Sequence, residues 1–162
     1  MGSFYLWDAS KRYEDIAICP STKEIEAFSR NPNNETRQAI YQKFLYDDNF
    51  NFPRKKVHAI KVIKNRVLTG RLFSHYLTKE KIKDLINFLN QPDNFTWQEV
   101  DMRHADSKYI LIFYDKQHRK IGKLWFDPAH RQILAVPFSP HMKFGHLKRD
   151  KAAWLLKFLK NN

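Results

Sequence analysis

Side chains that could bind a metal or transfer protons occur in the last third of the sequence, namely those of His130, His141, His146, Asp115 and Asp127. His141 and His146 in HMKFGH are the strongest candidates for a metal site. Zinc-binding histidines on one helix face stand about three or four positions apart, whereas these stand five apart with Gly145 between them. The next carboxylate along the chain is Asp150. The spacing favours two loop histidines before a final helix, so we predict no metal and no other cofactor.

Asp127 and His130 in FDPAH have the spacing of a pair in which a carboxylate orients a general base. An Asp-Pro turn between two strands accounts for the same residues, because aspartate side chains accept hydrogen bonds from nearby backbone amides. Asp115 follows the predicted strand IFY in the same manner. We interpret both aspartates as turn caps and assign no catalytic residue, so the sequence favours a protein that is not an enzyme.

Cys19 is the only cysteine, which excludes an intramolecular disulfide and a cysteine-based zinc site. It precedes Pro20 and a predicted helix start, where a helix dipole stabilises a thiolate. No pattern places a histidine base beside it, so a small buried residue is the favoured interpretation. A lone thiol suits a reducing compartment.

The net charge of +12 is unevenly distributed along the chain. Residues 1–53 hold 6 Lys or Arg against 8 Asp or Glu, whereas residues 54–162 hold 23 against 9. Such segregation favours an acidic protein partner, with nucleic acid as the alternative and an anionic membrane surface as a weaker one. A basic surface that serves only solubility explains the same composition.

The segment 54–79 contains eight Lys or Arg and no acid. With the cations near residues 116–123, it predicts one positive sheet edge or face that binds the partner. The predicted partner-binding residues are Arg54, Lys55, Lys56, Lys61, Lys64, Arg66, Arg71, Lys116, Arg119, Lys120 and Lys123. The nearby rings of Phe73, Tyr76 and Trp125 suit base stacking, but their alternating strand positions favour core packing.

Hydrophobic periodicity predicts a single α+β domain over residues 1–162, with a mainly antiparallel sheet and helices packed on one face. The clearest helix runs from Thr78 to Asn90, with apolar residues at the spacing of one helical face and a proline soon after its end. A three-stranded meander is predicted near 109–136. Its strands are Tyr109–Tyr114, Lys120–Phe126 and Gln132–Val136.

The remaining elements are less regular in pattern. The sequence predicts short strands at 4–7 and 13–18, helices that end near Arg30 and Tyr46, a hairpin of Val57–Ile63 and Val67–Phe73, a strand at Phe95–Val100 and an extended exit at Val136–Pro140. A last helix at Asp150–Leu159 should direct Trp154, Leu155, Phe158 and Leu159 inward. No stretch is apolar enough to span a membrane and no signal peptide is visible. We leave the compartment open, as cytoplasmic, or as periplasmic if a leader has been removed.

Residues 77–137 resemble a diffuse family of small bacterial α+β proteins. The resemblance is carried by Leu77-Thr78-Lys79-Glu80, Leu89-Asn90, Asn94-Phe95-Thr96-Trp97, Ile112-Phe113-Tyr114-Asp115, Ile121-Gly122 and Pro137. It implies the same fold and no established activity, and several members resemble exported or anchored proteins.

Two functional hypotheses follow. The first is an immunity-type or inhibitor protein that binds an acidic partner stoichiometrically through its basic surface. The second is a small basic nucleic-acid-binding or nuclease domain, in which histidines and lysines act on phosphodiesters.

Overall fold

A computed structural model describes residues 45–64, 74–97, 107–137 and 139–160, together with residues 39 and 42. The helices and strands of this part are β1 (Ala59–Lys64), β2 (Ser74–Tyr76), α1 (Lys79–Leu89), β3 (Phe95–Trp97), β4 (Tyr109–Tyr114), β5 (Lys120–Asp127), β6 (Gln132–Val136), α2 (Pro140–Phe144), β7 (Gly145–Leu147) and α3 (Arg149–Lys160). Five strands form an antiparallel sheet in the order β2-β1-β4-β5-β6, and β3 pairs with β7 in a separate two-stranded sheet. The predicted α+β class with a mainly antiparallel sheet is confirmed.

The meander is confirmed as β4, β5 and β6, and its alternation sets the core. Tyr109, Leu111 and Phe113 of β4 are buried, whereas the residues between them are half-buried. In β5, Leu124 is buried between half-buried neighbours, and Phe126 is buried beside Asp127, which is buried as well. Because successive strand side chains point to opposite faces, one face of the meander contributes most of its core.

Helix α1 begins and ends close to the predicted bounds. The Thr78 hydroxyl accepts a hydrogen bond from the backbone amide of Lys81 at 3.5 Å, as an N-cap should. Ile82, Leu85 and Leu89 are buried on one helical stripe. These side chains belong to the same core cluster as the meander.

The side chain of Asn90 connects the end of α1 to the chain before β1. Its amide nitrogen donates to the Phe52 carbonyl at 2.7 Å, and its amide oxygen accepts from the Phe52 backbone N–H at 2.6 Å. Phe52 is fully buried, with its ring edge-on to Phe113 at 4.8 Å. The segment that precedes β1 is therefore fixed at Phe52, by two hydrogen bonds to its backbone and by the packing of its buried ring.

Three predictions about local structure need correction or fall outside the description. Residues 67–73, predicted as a strand, lie outside the described residues, and the observed partner of β1 is β2 at 74–76. The described part of the predicted strand at 95–100 is β3 (Phe95–Trp97), and residues 98–100 lie outside the described residues. The predicted N-terminal elements before residue 39 and Cys19 also lie outside the described residues.

Helix α3 is confirmed, but the inward position of Trp154 is wrong. Leu155 and Leu159 are buried as predicted, in a stripe with Ala152. Trp154 is 39% exposed and stacks between Phe88 and Phe158, at centroid distances of 4.4 and 5.0 Å. The large Trp154 ring thus packs on the rings of its neighbours and stays partly exposed to solvent.

The extended exit predicted at Val136–Pro140 is also only partly right, because Pro140 already belongs to a short helix. Helix α2 starts at Pro140, where a proline suits the first helical turn, and β7 starts at Gly145. A Cβ atom on Gly145 would lie 2.5 Å from the carbonyl oxygen of His141, so this close approach requires glycine. Among the described helices, none is long and apolar enough to cross a membrane.

Candidate basic interface

The structure brings two separate parts of the predicted basic surface to one end of the large sheet. In the register of β1 and β4, Ala59 lies opposite Tyr114, and the His58 backbone N–H donates to the Tyr114 carbonyl at 2.8 Å. The residues before β1 therefore lie beside the turn that follows β4. We call the residues 55–58 and 115–120 at this place the basic end.

The basic end is exposed and almost free of acid. Its exposed basic side chains are Lys55, Lys56, His58, Lys116, His118, Arg119 and Lys120. In residues 54–64 and 114–126 the single acid is Asp115, and it is buried. Clustered cations over a low-dielectric interior create a strong positive potential, so this surface attracts anions.

Asp115 holds the turn of the basic end together. Its carboxylate accepts hydrogen bonds from the Arg119 backbone amide at 2.9 Å and from the guanidinium at 2.7 Å. Burial alone would raise the pKa of Asp115, but these hydrogen bonds and the Arg119 charge hold it below its usual range. The predicted turn cap at Asp115 is confirmed, and part of the Arg119 charge is neutralised within the turn.

One pair of rings stands at the edge of the basic end. His118 adopts a positive φ of 62° in the turn and stacks on Tyr114 at a centroid distance of 4.7 Å. Stacking covers one face of the Tyr114 ring with an imidazole. Sequence reasoning missed His58 and His118 as members of this surface, although each lies within two residues of a predicted lysine. The pairing of β1 with β4 brings the two groups together.

The other predicted cations lie elsewhere. Lys61 and Lys123 stand on either side of Ile112 in one transverse row of the sheet, on the face opposite to Val62 and Leu124. Both are half-buried, and the Lys123 ammonium lies 4.4 Å from the centre of the Trp125 ring. These two lysines therefore belong to the sheet face and not to the basic end.

Three further positions complete the account of the predicted surface. Lys64 is half-buried at the far end of β1. Arg54 is half-buried, donates to the Asn51 carbonyl and lies over the Phe50 ring. Arg66 and Arg71 fall outside the described residues. Of the two rings predicted as core within the description, Tyr76 is 52% exposed, so that prediction is wrong, and Trp125 is half-buried.

The Asp127–His130 pair forms at the opposite end of β5. One carboxylate oxygen of Asp127 accepts from the Ala129 amide at 2.9 Å, which confirms the turn cap. The other oxygen lies 2.6 Å from Nδ1 of His130. Asp127 is buried and the His130 side chain is mostly exposed. The Asp127 carboxylate therefore fixes the orientation of the His130 ring through Nδ1, and Nε2 points away from this contact.

His141 and His146 have separate partners in the structure. The ring of His141 contacts Ser139 and the Leu89 carbonyl, whereas the ring of His146 contacts Gln132. Among the described residues, no group of three or more His, Cys, Asp or Glu side chains could hold a metal ion. The two histidines of the HMKFGH motif thus pack against different parts of the protein.

Comparison of the chain with protein-family models, with curated proteins and with solved structures finds no match in any of the three. The resemblance of residues 77–137 to small bacterial proteins stays a prediction.

Proposed function

We propose that this protein is a binding protein of the immunity or inhibitor type, which forms a stoichiometric complex with an acidic protein through its basic end. The observation that carries the proposal is the cluster of seven exposed basic side chains around one buried, paired acid. Complementary charge at an interface rim accelerates association and excludes partners of the same sign. The positive charge of the basic end suits both effects, faster association with an acidic partner and exclusion of basic proteins.

An acidic protein is favoured over nucleic acid as the partner, because the aromatic rings on this side of the sheet are already partly covered. Single-stranded nucleic acid binds where aromatic faces stand open for bases among cations. At the basic end, one face of Tyr114 is covered by His118. Farther along β5, the Trp125 ring lies against the Lys123 ammonium. The sheet face beside them is rich in aliphatic residues such as Ile110 and Ile112, which suit the apolar part of a protein interface.

The test compares two variants of equal charge. One reverses Lys55, Lys56, Lys116 and Lys120 to glutamate, and the matched control reverses the exposed helix residues Lys79, Lys83, Lys157 and Lys160. Both should fold, since each exposed substitution changes stability by only about 0.5 kcal/mol or less. Each is used, beside the wild type, to capture partners from the native host, and the recovered complex is measured by surface plasmon resonance at two salt concentrations.

We expect a 1:1 protein complex whose association slows about tenfold or more in the basic-end variant but not in the control. Added salt should weaken the wild-type complex. Equal association of both folded variants would contradict the proposal. Recovery of a nuclease-sensitive ligand, with log affinity falling linearly with log salt, would replace the acidic protein with nucleic acid.

A second candidate function, RNA cleavage, is supported by the 2.6 Å contact between Asp127 and His130. If Nδ1–H donates to the carboxylate, Nε2 has the lone pair of a general base. It would take the proton of a ribose 2′-hydroxyl as that oxygen attacks phosphorus, and return it to the leaving 5′-oxygen. The wild type should then cleave a fluorescent RNA, His130→Asn should lose about a hundredfold or more, and His118→Asn should not. An inactive wild type would remove this candidate.

A further inference from the structure

The two histidines of the HMKFGH motif are the most deeply buried titratable rings among the described histidines. His141 is 3% exposed and His146 is 7% exposed. Both belong to residues 139–147, which comprise Ser139, α2 and β7. We call these residues the latch segment. It packs against α1, β3 and β6 through these two rings and its buried apolar residues, and it leads directly into α3.

His141 connects the latch segment to the end of α1. Its Nε2 lies 2.7 Å from the Leu89 carbonyl, to which it donates, and the Ser139 hydroxyl lies 3.1 Å from Nδ1. The ring also lies against Phe95 of β3, at 4.8 Å between centroids. The charge that faces it is the positive charge of Arg54. Burial lowers the pKa of His141 to about 4; the hydrogen bond to Leu89 opposes this effect and Arg54 adds to it.

His146 connects the latch segment to β6 and the turn before it. Its Nε2 lies 3.1 Å from the amide nitrogen of Gln132, while its Nδ1 is buried without a hydrogen-bond partner. The facing charges are those of Arg131 and of His130, which is held by Asp127. Burial lowers the pKa of His146, and these two positive neighbours lower it further. Both rings thus occupy sites where a positive charge is poorly accommodated.

We propose that the latch segment is an acid-sensitive device, which separates from α1 and β6 when His141 and His146 take up protons. In the closed state the two rings are neutral and buried among apolar residues or beside cations. In an open state both would reach water and bind protons at the usual affinity of an imidazole. Acid therefore selects the open state, in which Met142, Leu147 and the edge of β3 become accessible.

The direction follows from proton linkage. A histidine whose pKa is lower in the closed state binds more protons once the segment opens, so opening becomes more favourable as pH falls from about 6.5 toward 4. With a pKa of about 4 against 6.5, His141 alone raises the opening constant about 70-fold between pH 7.5 and 4.5. Below pH 4 it adds little more. The lowered pKa of His146 acts in the same direction.

The experiment is hydrogen–deuterium exchange by NMR on the whole chain at pH 7.5 and 4.5, corrected for the pH dependence of intrinsic exchange. The reporting amides are Met142, Leu147 and Lys148, which donate within or across the latch segment. The reference amides are Leu111 and Leu124 in the centre of the sheet. We expect protection of the reporting amides to fall about 70-fold and to stay far below that of the reference amides at both pH values, because local opening costs less free energy than global unfolding. Unchanged reporting amides, or equal protection of the two sets at pH 4.5, would overturn the proposal.

Variants separate the latch from other acid-sensitive groups. His141→Gln keeps a nitrogen donor for the Leu89 carbonyl and removes the titration, so it should abolish most of the pH effect. His118→Gln at the basic end is the matched exposed control and should retain it. His75→Gln tests the third histidine with a lowered pKa, which is caused by burial and by Lys81. If His141→Gln does not fold, the NMR titration of the wild-type His141 ring decides, since protonation near pH 6.5 or above would refute the latch.

Discussion

The turns at the two ends of β5 have the same pattern, Asp-x-x-His-Arg, and different structures. The first is Asp115–Arg119 and the second is Asp127–Arg131. In the first turn the residue with positive φ is the histidine, at 62°, and the buried aspartate pairs with the arginine. In the second turn it is the arginine, at 57°, and the aspartate pairs with the histidine. One pentapeptide pattern thus directs either a permanent or a titratable cation to its carboxylate.

Strand register and one proline account for the difference. Asp115 lies beyond β4, and the pairing of β4 with β5 shifts between Phe113 and Tyr114, so the first turn has five residues between strands. Asp127 is still in β5, paired with Gln132, so the second has four. Pro128 restricts φ and lacks an amide donor at the second position, where the first turn has Lys116. The left-handed residue consequently moves by one position.

The surroundings of the two turns differ as well. The first turn forms part of the exposed basic end. The second packs toward β7, where the Leu147 amide donates to the Arg131 carbonyl at 2.9 Å. We infer that one end of the sheet is arranged for long-range attraction and the other for packing that responds to protons.

The largest expected difference between the two ends is in packing energy. Leu147→Ala removes a fully buried side chain beside the second turn and should lower the free energy of unfolding by roughly 2–5 kcal/mol. Gln117→Ala at the exposed first turn should change it by about 0.5 kcal/mol or less. Urea denaturation monitored by tryptophan fluorescence measures both. Similar losses at the two sites would contradict the contrast between a packed end and an exposed one.

The second expected difference is in the response to pH. His141 has its pKa lowered to about 4 from 6.5, so the unfolded chain binds more protons between these values and stability falls as pH decreases through them. The loss is roughly 3 kcal/mol, fully developed near pH 4 and absent above about pH 7. Urea midpoints at steps of half a pH unit measure it. His141→Gln should give a flatter profile, and a profile as steep as that of the wild type would assign the acid sensitivity to another group.

The smallest expected difference is between the two aspartate pairs themselves. A double-mutant cycle on Asp127 and His130 should give a coupling of about 1 kcal/mol or less. The cycle on Asp115 and Arg119 should give the same coupling at pH 5.5 and pH 8, because arginine stays charged. A coupling at Asp115 that varies between these pH values would contradict the assignment of a permanent ion pair to the first turn.

Local patterns were sufficient for several elements. The Thr78 cap, the stripe of Ile82, Leu85 and Leu89, and the proline after the helix predicted α1 within one residue of its bounds. Apolar patterning predicted β4, β5 and β6 within one residue of their bounds. In each case the deciding interactions lie within a few residues of one another, so they are present in the sequence itself.

Other features depend on partners distant in the chain. The basic end exists because β1 pairs with β4 across more than 40 residues, which no local pattern specifies. The pairing of β3 with β7, the burial of His141 beneath the end of α1 and the exposed stack at Trp154 likewise join separated segments. The sequence by itself determined which residues were charged, apolar or able to cap a turn. Only the tertiary structure decided which of them meet, because burial and hydrogen bonding depend on neighbours that the chain brings together when it folds.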